Sequence, residues 1–143
     1  MDFEEELARA WDTLIRQAAS SSLEQAKISY KKFYSLVKGI PYDQIPFRFN
    51  TRQYLYPIQE ICVNENLPPL TGLVVLQGNG RLLKPSSGYA SNELLPYELE
   101  MDAVINYEKW PDIENPFRNA DGTVVDTNEV INSLQEGGNV LES

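Results

Sequence analysis

The chain has 143 residues, 42% hydrophobic and 23% charged, which predicts one globular domain with a full core. It has no histidine and one cysteine, Cys62, which excludes Ser-His-Asp and Cys-His catalysis, imidazole metal sites and an intramolecular disulfide. Because no apolar run approaches the roughly 18 residues of a membrane helix and the acidic N-terminus is unlike a secretory signal, we expect a cytoplasmic protein without membrane contact. We predict no cofactor and no metal site, since no acidic motif for Mg²⁺ stands out.

The net charge of −9 is unevenly distributed along the chain. Residues 27–84 hold eight lysine and arginine residues against three acidic ones, a net charge of +5. The rest of the chain holds four basic residues against 18 acidic ones, a net charge of −14. A basic middle between acidic ends is typical of a weak nucleic-acid surface, or of acidic segments that pair with the basic one in this chain or in a partner. Chance clustering on a solvated surface is the alternative.

Residues 2–19 predict an amphipathic helix. Apolar side chains recur there at three- and four-residue spacing, and acidic residues fill the first turn, where the helix dipole favours them. Residues 23–27 either continue this helix or begin a loop. The predicted buried stripe is Phe3, Leu7, Trp11, Leu14, Ile15 and Ala18.

A second helix is predicted from Ser29, whose side chain can cap the N-terminus, to Gly39, a natural helix stop. Aromatic residues at helical spacing indicate a core face here rather than a ligand site. The loop over residues 40–49 contains two prolines and is predicted to be ordered. The buried stripe of the helix is Tyr30, Phe33, Tyr34 and Val37.

A third helix is predicted to begin at Asn50 or Thr51 and to end near Asn64. Pro57 falls inside this span and suits only the first turn of a helix. The helix is therefore expected to begin near Tyr54 or to kink at Pro57. Cys62 lies on the apolar face, which predicts a buried structural thiol rather than a reactive one.

The strongest strand and turn signals of the chain lie together in residues 67–89. Pro68–Pro69 ends the preceding helix, because proline lacks the N–H and its ring clashes with the preceding turn. Residues 70–76 form an apolar run with two β-branched valines, which predicts a buried strand. Residues 77–80, Gln-Gly-Asn-Gly, favour a tight turn, and residues 81–83 are the returning strand. This hairpin is either purely structural or a wing that touches DNA or a partner.

Residues 90–143 form the acidic half of the chain. Residues 97–107 fit either a strand or a short helix. The irregular stretch that follows contains Trp110 and Phe117, which are predicted to pin the segment onto the core.

The C-terminal residues predict a turn and one more helix. Asp121–Gly122 favours the turn. Asp126 with Glu129 matches the capping box of a short helix that runs through Leu134.

Together, these elements predict one α+β domain over residues 1–143. Residues 1–89 are expected to form a core of helices and a hairpin with a winged-helix-like middle. Residues 90–143 are expected to form an irregular acidic extension packed on that core.

The middle of the chain runs helix, helix, proline stop, hairpin and glycine-aromatic pair. Its markers are Ser29–Tyr30, Arg52, residues 69–74, Asn79–Gly80 and Gly88–Tyr89. This order resembles the winged-helix-like C-terminal domain of the alkylguanine-DNA alkyltransferase family and of its inactive alkyltransferase-like relatives. The resemblance implies that Arg52 corresponds to the arginine that enters DNA, and that residues 69–74 stand in place of the active Pro-Cys-His-Arg-Val strand.

The chain departs from that family at the reactive positions. Leu70 stands where the nucleophilic cysteine would stand, and Thr71 stands where the histidine would stand. Alkyl transfer needs an activated thiolate. The resemblance therefore implies a DNA-binding module without the family's chemistry.

A second pattern combines Cys62, residues 67–75, Gly88–Tyr89, Trp110 and the Asn-Pro-Phe of residues 115–117. It is similar to a poorly characterised set of small bacterial and bacteriophage proteins that occur around restriction and defence genes. This resemblance implies a setting in defence, restriction or counter-defence, and it implies no specific activity.

These observations predict a non-enzymatic interaction or regulatory protein of a bacterial or phage system, with a protein partner. One alternative is a DNA-binding, alkyltransferase-like module that uses the basic middle. Another is an acidic immunity protein or DNA mimic that inhibits a nuclease, which the charge of −14 motivates. An enzyme that uses Asp, Glu and Lys has no visible D…ExK, HNH or P-loop pattern to support it. The predicted nucleic-acid contacts are Lys31, Lys32, Arg48, Arg52, Arg81 and Lys84.

Overall fold

A computed structural model describes residues 2–78, 81–83, 85 and 96–125. This part of the chain has an α+β fold, as predicted, and none of its helices combines the length and the apolar character needed to cross a bilayer. The helices are α1 (Phe3–Ala18), α2 (Leu23–Ala26), α3 (Tyr30–Lys38), α4 (Arg52–Asn64) and α5 (Tyr97–Asn106). The strands are β1 (Ile28–Ser29), β2 (Val74–Val75), β3 (Gln77–Gly78) and β4 (Arg81–Leu82), and short 3₁₀ helices occupy Tyr42–Gln44, Leu70–Leu73 and Trp110–Asp112.

Helix α1 is the central element, because α2, α3, α4 and the 3₁₀ helix at Leu70–Leu73 all pack on it. Its predicted span is confirmed. The side chain of Asp2 accepts a hydrogen bond from the backbone N–H of Glu5 at 2.9 Å, which satisfies an otherwise unpaired helix donor. The core face is buried as predicted, although Phe3 and Ile15 at its edges are only partly covered.

Helix α3 has the caps that the sequence predicts. The hydroxyl of Ser29 accepts a hydrogen bond from the N–H of Lys32 at 3.1 Å. At the other end, Gly39 takes the left-handed conformation (φ +70°) and donates its N–H to the carbonyl of Ser35 at 2.9 Å. The stripe of this helix is buried at Phe33 and Val37 and half-buried at its two tyrosines.

Helix α4 begins at Arg52 and continues through Pro57. The predicted cap at Asn50 or Thr51 is therefore confirmed, whereas the alternative start near Tyr54, offered to accommodate Pro57, is not what the structure shows. The side chain of Asn50 accepts a hydrogen bond from the N–H of Arg52 at 3.0 Å, and this bond supports the earlier start. Pro57 is buried, so packing of its ring on the core accompanies the lost backbone donor.

The predicted strand over residues 70–76 is wrong for its first four residues. Leu70–Leu73 forms a buried 3₁₀ helix that contacts α1, α4 and α5. The segment is buried on several sides, so most of its residues are apolar. Such a run lacks the alternation of apolar and polar residues that distinguishes a strand from a helix. Only Val74–Val75 is extended.

Two pairs of two-residue strands follow from this arrangement. β2 pairs with β1 in parallel, Ile28 opposite Val74 and Ser29 opposite Val75, a pairing that the sequence did not predict. β3 and β4 form the predicted antiparallel hairpin, with Gln77 opposite Leu82. The first hairpin strand is therefore shorter and later than expected. The winged-helix-like character of this region stays a prediction.

Residues 97–107, predicted as either strand or helix, form helix α5. Met101 and Val104 face the core. The hydroxyl of Tyr97 donates to the carbonyl of Gly72 at 2.8 Å, so α5 is fixed directly on the Leu70–Leu73 helix. Burial raises the pKa of the Tyr97 hydroxyl, which keeps it a donor.

The segment after α5 is pinned to the core by its aromatic residues, as predicted. Trp110 and Phe117 are buried, and the indole N–H of Trp110 donates to the carbonyl of Val104 at 2.8 Å. The side-chain amide of Asn115 donates to the carbonyl of Ala8 in α1 at 2.8 Å. The predicted turn at residues 121–122 is confirmed by Gly122, which has φ +89°. The predicted helix from Asp126 to Leu134 lies outside the described residues.

Candidate binding cleft

Two adjoining cavities lie between the β3–β4 hairpin and the segment that joins α2 to α3. Their volumes are about 960 and 630 Å³, and both are lined by Lys27 and Leu82. We term the pair the hairpin cleft. The larger cavity is also lined by Glu24, Leu76, Arg81, Leu83 and Pro85. The smaller cavity is also lined by Gln17, Gln25, Ser29, Lys32, Tyr42 and Gln77, among others.

One wall of the cleft is held in place by α1. The side-chain amide of Gln17 donates to the carbonyl of Ala26 at 2.9 Å, which fixes the end of α2 against α1. The ammonium group of Lys27 lies 3.2 Å from a carboxylate oxygen of Glu24 and 3.5 Å from the carbonyl of Leu82. Lys27 therefore links the α2 side of the cleft to the hairpin.

Two further cations line the cleft and are exposed to solvent. Lys32 lies in the first turn of α3, and Arg81 begins β4. Neither side chain makes an ion pair or a hydrogen bond to another residue in the described part of the chain. Both charges are therefore available to an anionic group of a ligand.

Two exposed leucines line the larger cavity. Leu76 and Leu83 flank the hairpin and expose 47% and 45% of their surfaces. They are neighbours, because the N–H of Leu83 donates to the carbonyl of Leu76 at 2.9 Å. Two adjacent exposed leucines beside a cation differ from the single exposed apolar residues that any protein surface carries.

The predicted contact residues do not form one surface. Lys32 and Arg81 meet at the hairpin cleft. Lys31 lies with its ammonium group 4.5 Å from the ring centroid of Tyr42, a cation–π contact at the edge of the smaller cavity. Arg48 and Arg52 are exposed but line neither cavity, and Lys84 lies outside the described residues.

Sequence reasoning missed three residues of the cleft, namely Lys27, Leu76 and Leu83. Leu76 was assigned to a buried strand and Leu83 to the returning strand, whereas the structure leaves both half-exposed. Lys27 could have been added to the predicted contacts, because it is the first residue of the basic middle and comes directly before β1.

The one cysteine of the chain lies away from the cleft and is buried. Cys62 is covered in the core, as predicted, and burial raises the pKa of its thiol to about 11. At neutral pH the sulfur is therefore a protonated thiol and a poor nucleophile. Leu70 and Thr71 are also buried and line neither cavity.

A second polar group is enclosed between α1, α3 and α4. Glu6 is buried and lies 3.1 Å from the ammonium group of Lys38, and it also accepts a hydrogen bond from the hydroxyl of Tyr54. Burial, with the neighbouring Glu6 carboxylate, raises the pKa of Tyr54 above its ordinary value. This network joins three helices and lines neither cavity of the hairpin cleft.

Within the described ranges, no group of three or more histidine, cysteine, aspartate or glutamate side chains is placed to hold a metal ion. Comparison with protein-family models, curated proteins and solved structures gives no match to this chain. The two resemblances drawn from its sequence motifs therefore stay predictions.

Proposed function

We propose that this protein is a non-enzymatic interaction protein that binds an acidic, partly apolar segment of a protein partner in the hairpin cleft. The single observation that carries the proposal is the exposed pair Leu76 and Leu83 beside the free cation Arg81. The setting, a bacterial or phage defence, restriction or counter-defence system, follows from the resemblance of the sequence motifs.

The composition of the cleft supports a protein segment as the ligand. Apolar side chains at the hairpin offer surface that gains from burial, roughly 25 cal/mol per Å². Arg81 at the same cavity complements a carboxylate, which adds specificity and speeds association. A ligand that alternates apolar and acidic side chains satisfies both features at once.

The burial of the only cysteine and the lack of histidine also support a regulatory role without catalysis. The only cysteine is a buried thiol with a raised pKa, and the chain has no histidine to activate a nucleophile. The positions equivalent to an alkyltransferase active site, Leu70 and Thr71, carry no thiol and no imidazole.

Duplex DNA is the second candidate ligand, and the free charges of Lys32 and Arg81 favour it. Two exposed leucines at the same cleft gain nothing from phosphate groups, which is why the protein segment ranks first. The third candidate, an acidic inhibitor or DNA mimic, has less support. Two acidic residues of α1 already form ion pairs within the protein, Glu6 with Lys38 and Glu5 with Arg118, so their charges are not free to mimic DNA.

The test is a fluorescence anisotropy titration with three labelled probes. The first is a peptide of alternating glutamate and leucine residues, the second replaces glutamate by lysine, and the third is a DNA duplex. We expect the acidic peptide to bind and the basic peptide to fail. Leu83→Asp and Arg81→Glu are each expected to weaken binding of the acidic peptide about tenfold.

Matched controls come from exposed residues that line neither cavity of the cleft. Leu99→Asp and Lys109→Glu replace an exposed leucine and an exposed cation that do not line the cleft, and they are expected to leave the affinity unchanged. Equal binding of both peptides, or equal effects of cleft and control variants, argues against the proposal. If only the duplex binds and Arg81→Glu abolishes that binding, the ligand of the cleft is DNA rather than a protein segment.

A further inference from the structure

Every exposed aromatic side chain in the described part of the chain falls within residues 42–56. Tyr42, Phe47 and Tyr56 expose 46%, 97% and 58% of their surfaces. The other described aromatic residues are buried or half-buried. A phenylalanine that contacts almost nothing in its own protein is unusual, because aromatic side chains normally contribute large buried areas. Tyr42 lines the smaller cavity of the hairpin cleft, whereas Phe47 and Tyr56 line neither cavity.

The loop that carries Phe47 is held on both sides. Ile45 is buried, and the ring of Phe49 packs on Tyr34 of α3 with 5.1 Å between centroids. Pro46 restricts the backbone between them. Tyr42 is fixed in turn by the cation–π contact with α3 described above. Phe47 is therefore presented on a tethered loop, which lowers the entropy lost when a ligand orders it.

Free cations accompany the aromatic residues. Residues 44–59 contain two arginines and no carboxylate. Arg48 follows Phe47 directly, and Arg52 lies one helical turn before Tyr56, on the same face of α4. Both arginines are exposed, and their side chains make no ion pair or hydrogen bond within the described residues. We term Phe47, Arg48, Arg52 and Tyr56 the aromatic loop surface.

We propose that the aromatic loop surface binds single-stranded nucleic acid, with bases stacked on Phe47 and Tyr56 and phosphates at Arg48 and Arg52. Exposed aromatic rings interleaved with cations are the pattern by which proteins bind single strands with little sequence preference. The ligand class is single-stranded rather than duplex, because the bases of a duplex stack on each other and their faces are closed to a side chain.

The proposal is independent of the hairpin cleft, since none of these four residues lines either cavity. Insertion of Phe47 into the hairpin cleft of a second copy is unfavourable, because the cations Lys32 and Arg81 that line the cleft repel Arg48. The overall charge of −9 opposes tight binding of a polyanion. We therefore expect modest affinity with a clear dependence on salt.

The test is an anisotropy titration of the full chain with a fluorescein-labelled oligothymidylate between about 50 and about 200 mM salt. We expect binding at the lower salt concentration, and tighter binding than a duplex of equal length. Phe47→Ala is expected to weaken it about tenfold, the loss of roughly one stacked base, whereas Phe47→Trp preserves it. Arg48→Gln with Arg52→Gln is expected to lower the slope of log K against log salt by about 1.4.

Phe47→Ala removes almost no buried surface, so its fold is expected to be intact, and circular dichroism checks this. Leu99→Ala and Lys109→Gln are the controls, since both residues are exposed and belong to neither surface, and both variants are expected to bind the oligonucleotide as the parent protein does. Absence of binding at about 50 mM salt overturns the proposal and leaves Phe47 as an anchor for a protein partner. The proposal is also overturned if Phe47→Ala leaves the affinity for the oligonucleotide unchanged, or if a duplex binds as tightly as the single strand. None of these results depends on peptide binding at the hairpin cleft.

Discussion

The ammonium group of Lys38, in the last turn of α3, lies 3.1 Å from a carboxylate oxygen of Glu6, in the first turns of α1. Glu6 is buried and Lys38 is partly exposed. The hydroxyl of Tyr54 completes the group from α4. A buried carboxylate is tolerated only with such partners, so this contact fixes how three helices meet.

Removal of the carboxylate is expected to lower stability measurably. Glu6→Ala leaves the Tyr54 hydroxyl without its acceptor and Lys38 without its counter-ion, at a cost of about 2 kcal/mol in the free energy of unfolding. Glu24→Ala, which breaks the exposed pair with Lys27, is expected to change it by less than about 0.5 kcal/mol. Urea denaturation followed by circular dichroism measures both. Equal losses in the two variants would show that burial of Glu6 does not matter.

The side chain of Asn115 ties the acidic half to α1. Its amide donates to the carbonyl of Ala8 at 2.8 Å and to the carboxylate of Asp12 at 3.0 Å, and its oxygen accepts from the N–H of Phe117 at 2.9 Å. Asn115→Ala is expected to cost about 2 kcal/mol in urea denaturation. Asn119→Ala removes an exposed hydrogen bond to Thr123 and serves as the control, with a loss below about 1 kcal/mol. If Asn115→Ala has the same urea midpoint as the wild-type protein, Asn115 does not stabilise the contact between the acidic half and α1.

The end of α3 depends on a residue that accepts positive φ. Gly39 has φ +70°, and an added Cβ atom would lie 3.0 Å from the guanidinium of Arg9. Gly39→Ala is therefore expected to lower the thermal stability by about 1 kcal/mol. Gly39→Asn is expected to cost less, because asparagine tolerates the left-handed region better than alanine does. The reverse order in thermal unfolding would contradict the conformational explanation.

The buried thiol gives a prediction about reactivity and pH. With its pKa raised to about 11, Cys62 is expected to react with Ellman's reagent far more slowly in the native protein than in urea. The unfolded thiol titrates near 9.0, so the unfolded chain loses its proton first. The stability that the protonated thiol contributes is therefore complete below about pH 9 and is lost as the pH rises toward about 11. Cys62→Ala is expected to remove this part of the pH dependence, and native labelling at the unfolded rate would contradict burial.

Local sequence signals predicted the helices well. The acidic first turn of α1, the caps of α3 at Ser29 and Gly39 and the start of α4 after Thr51 each depend on residues close together in the chain. Pro57 was misleading, because the rule against proline inside a helix gave way to its burial in the core. Trp110 and Phe117 were recognised as anchors from size alone.

Features set by distant contacts could not be predicted. Residues 70–73 form a 3₁₀ helix because three helices surround them, and the parallel pairing of Ile28 with Val74 joins segments 46 residues apart. The same limit applied to the binding surfaces. Charge alone grouped Lys32, Arg81, Arg48 and Arg52, whereas the fold separates the first two, at the hairpin cleft, from the last two.

The most direct test of the proposed function maps the acidic glutamate-leucine peptide onto the protein by NMR. Titration into ¹⁵N-labelled protein should shift the backbone amides of Lys27, Leu76, Leu82 and Leu83, which line the hairpin cleft. The backbone amide signals of Leu99 and Asp102, exposed residues of α5 that do not line the cleft, should not shift. Saturable shifts confined to the cleft are the predicted result. An unchanged spectrum, or shifts centred on α5 or on the aromatic loop surface, would contradict the assignment of the cleft as the site of protein binding.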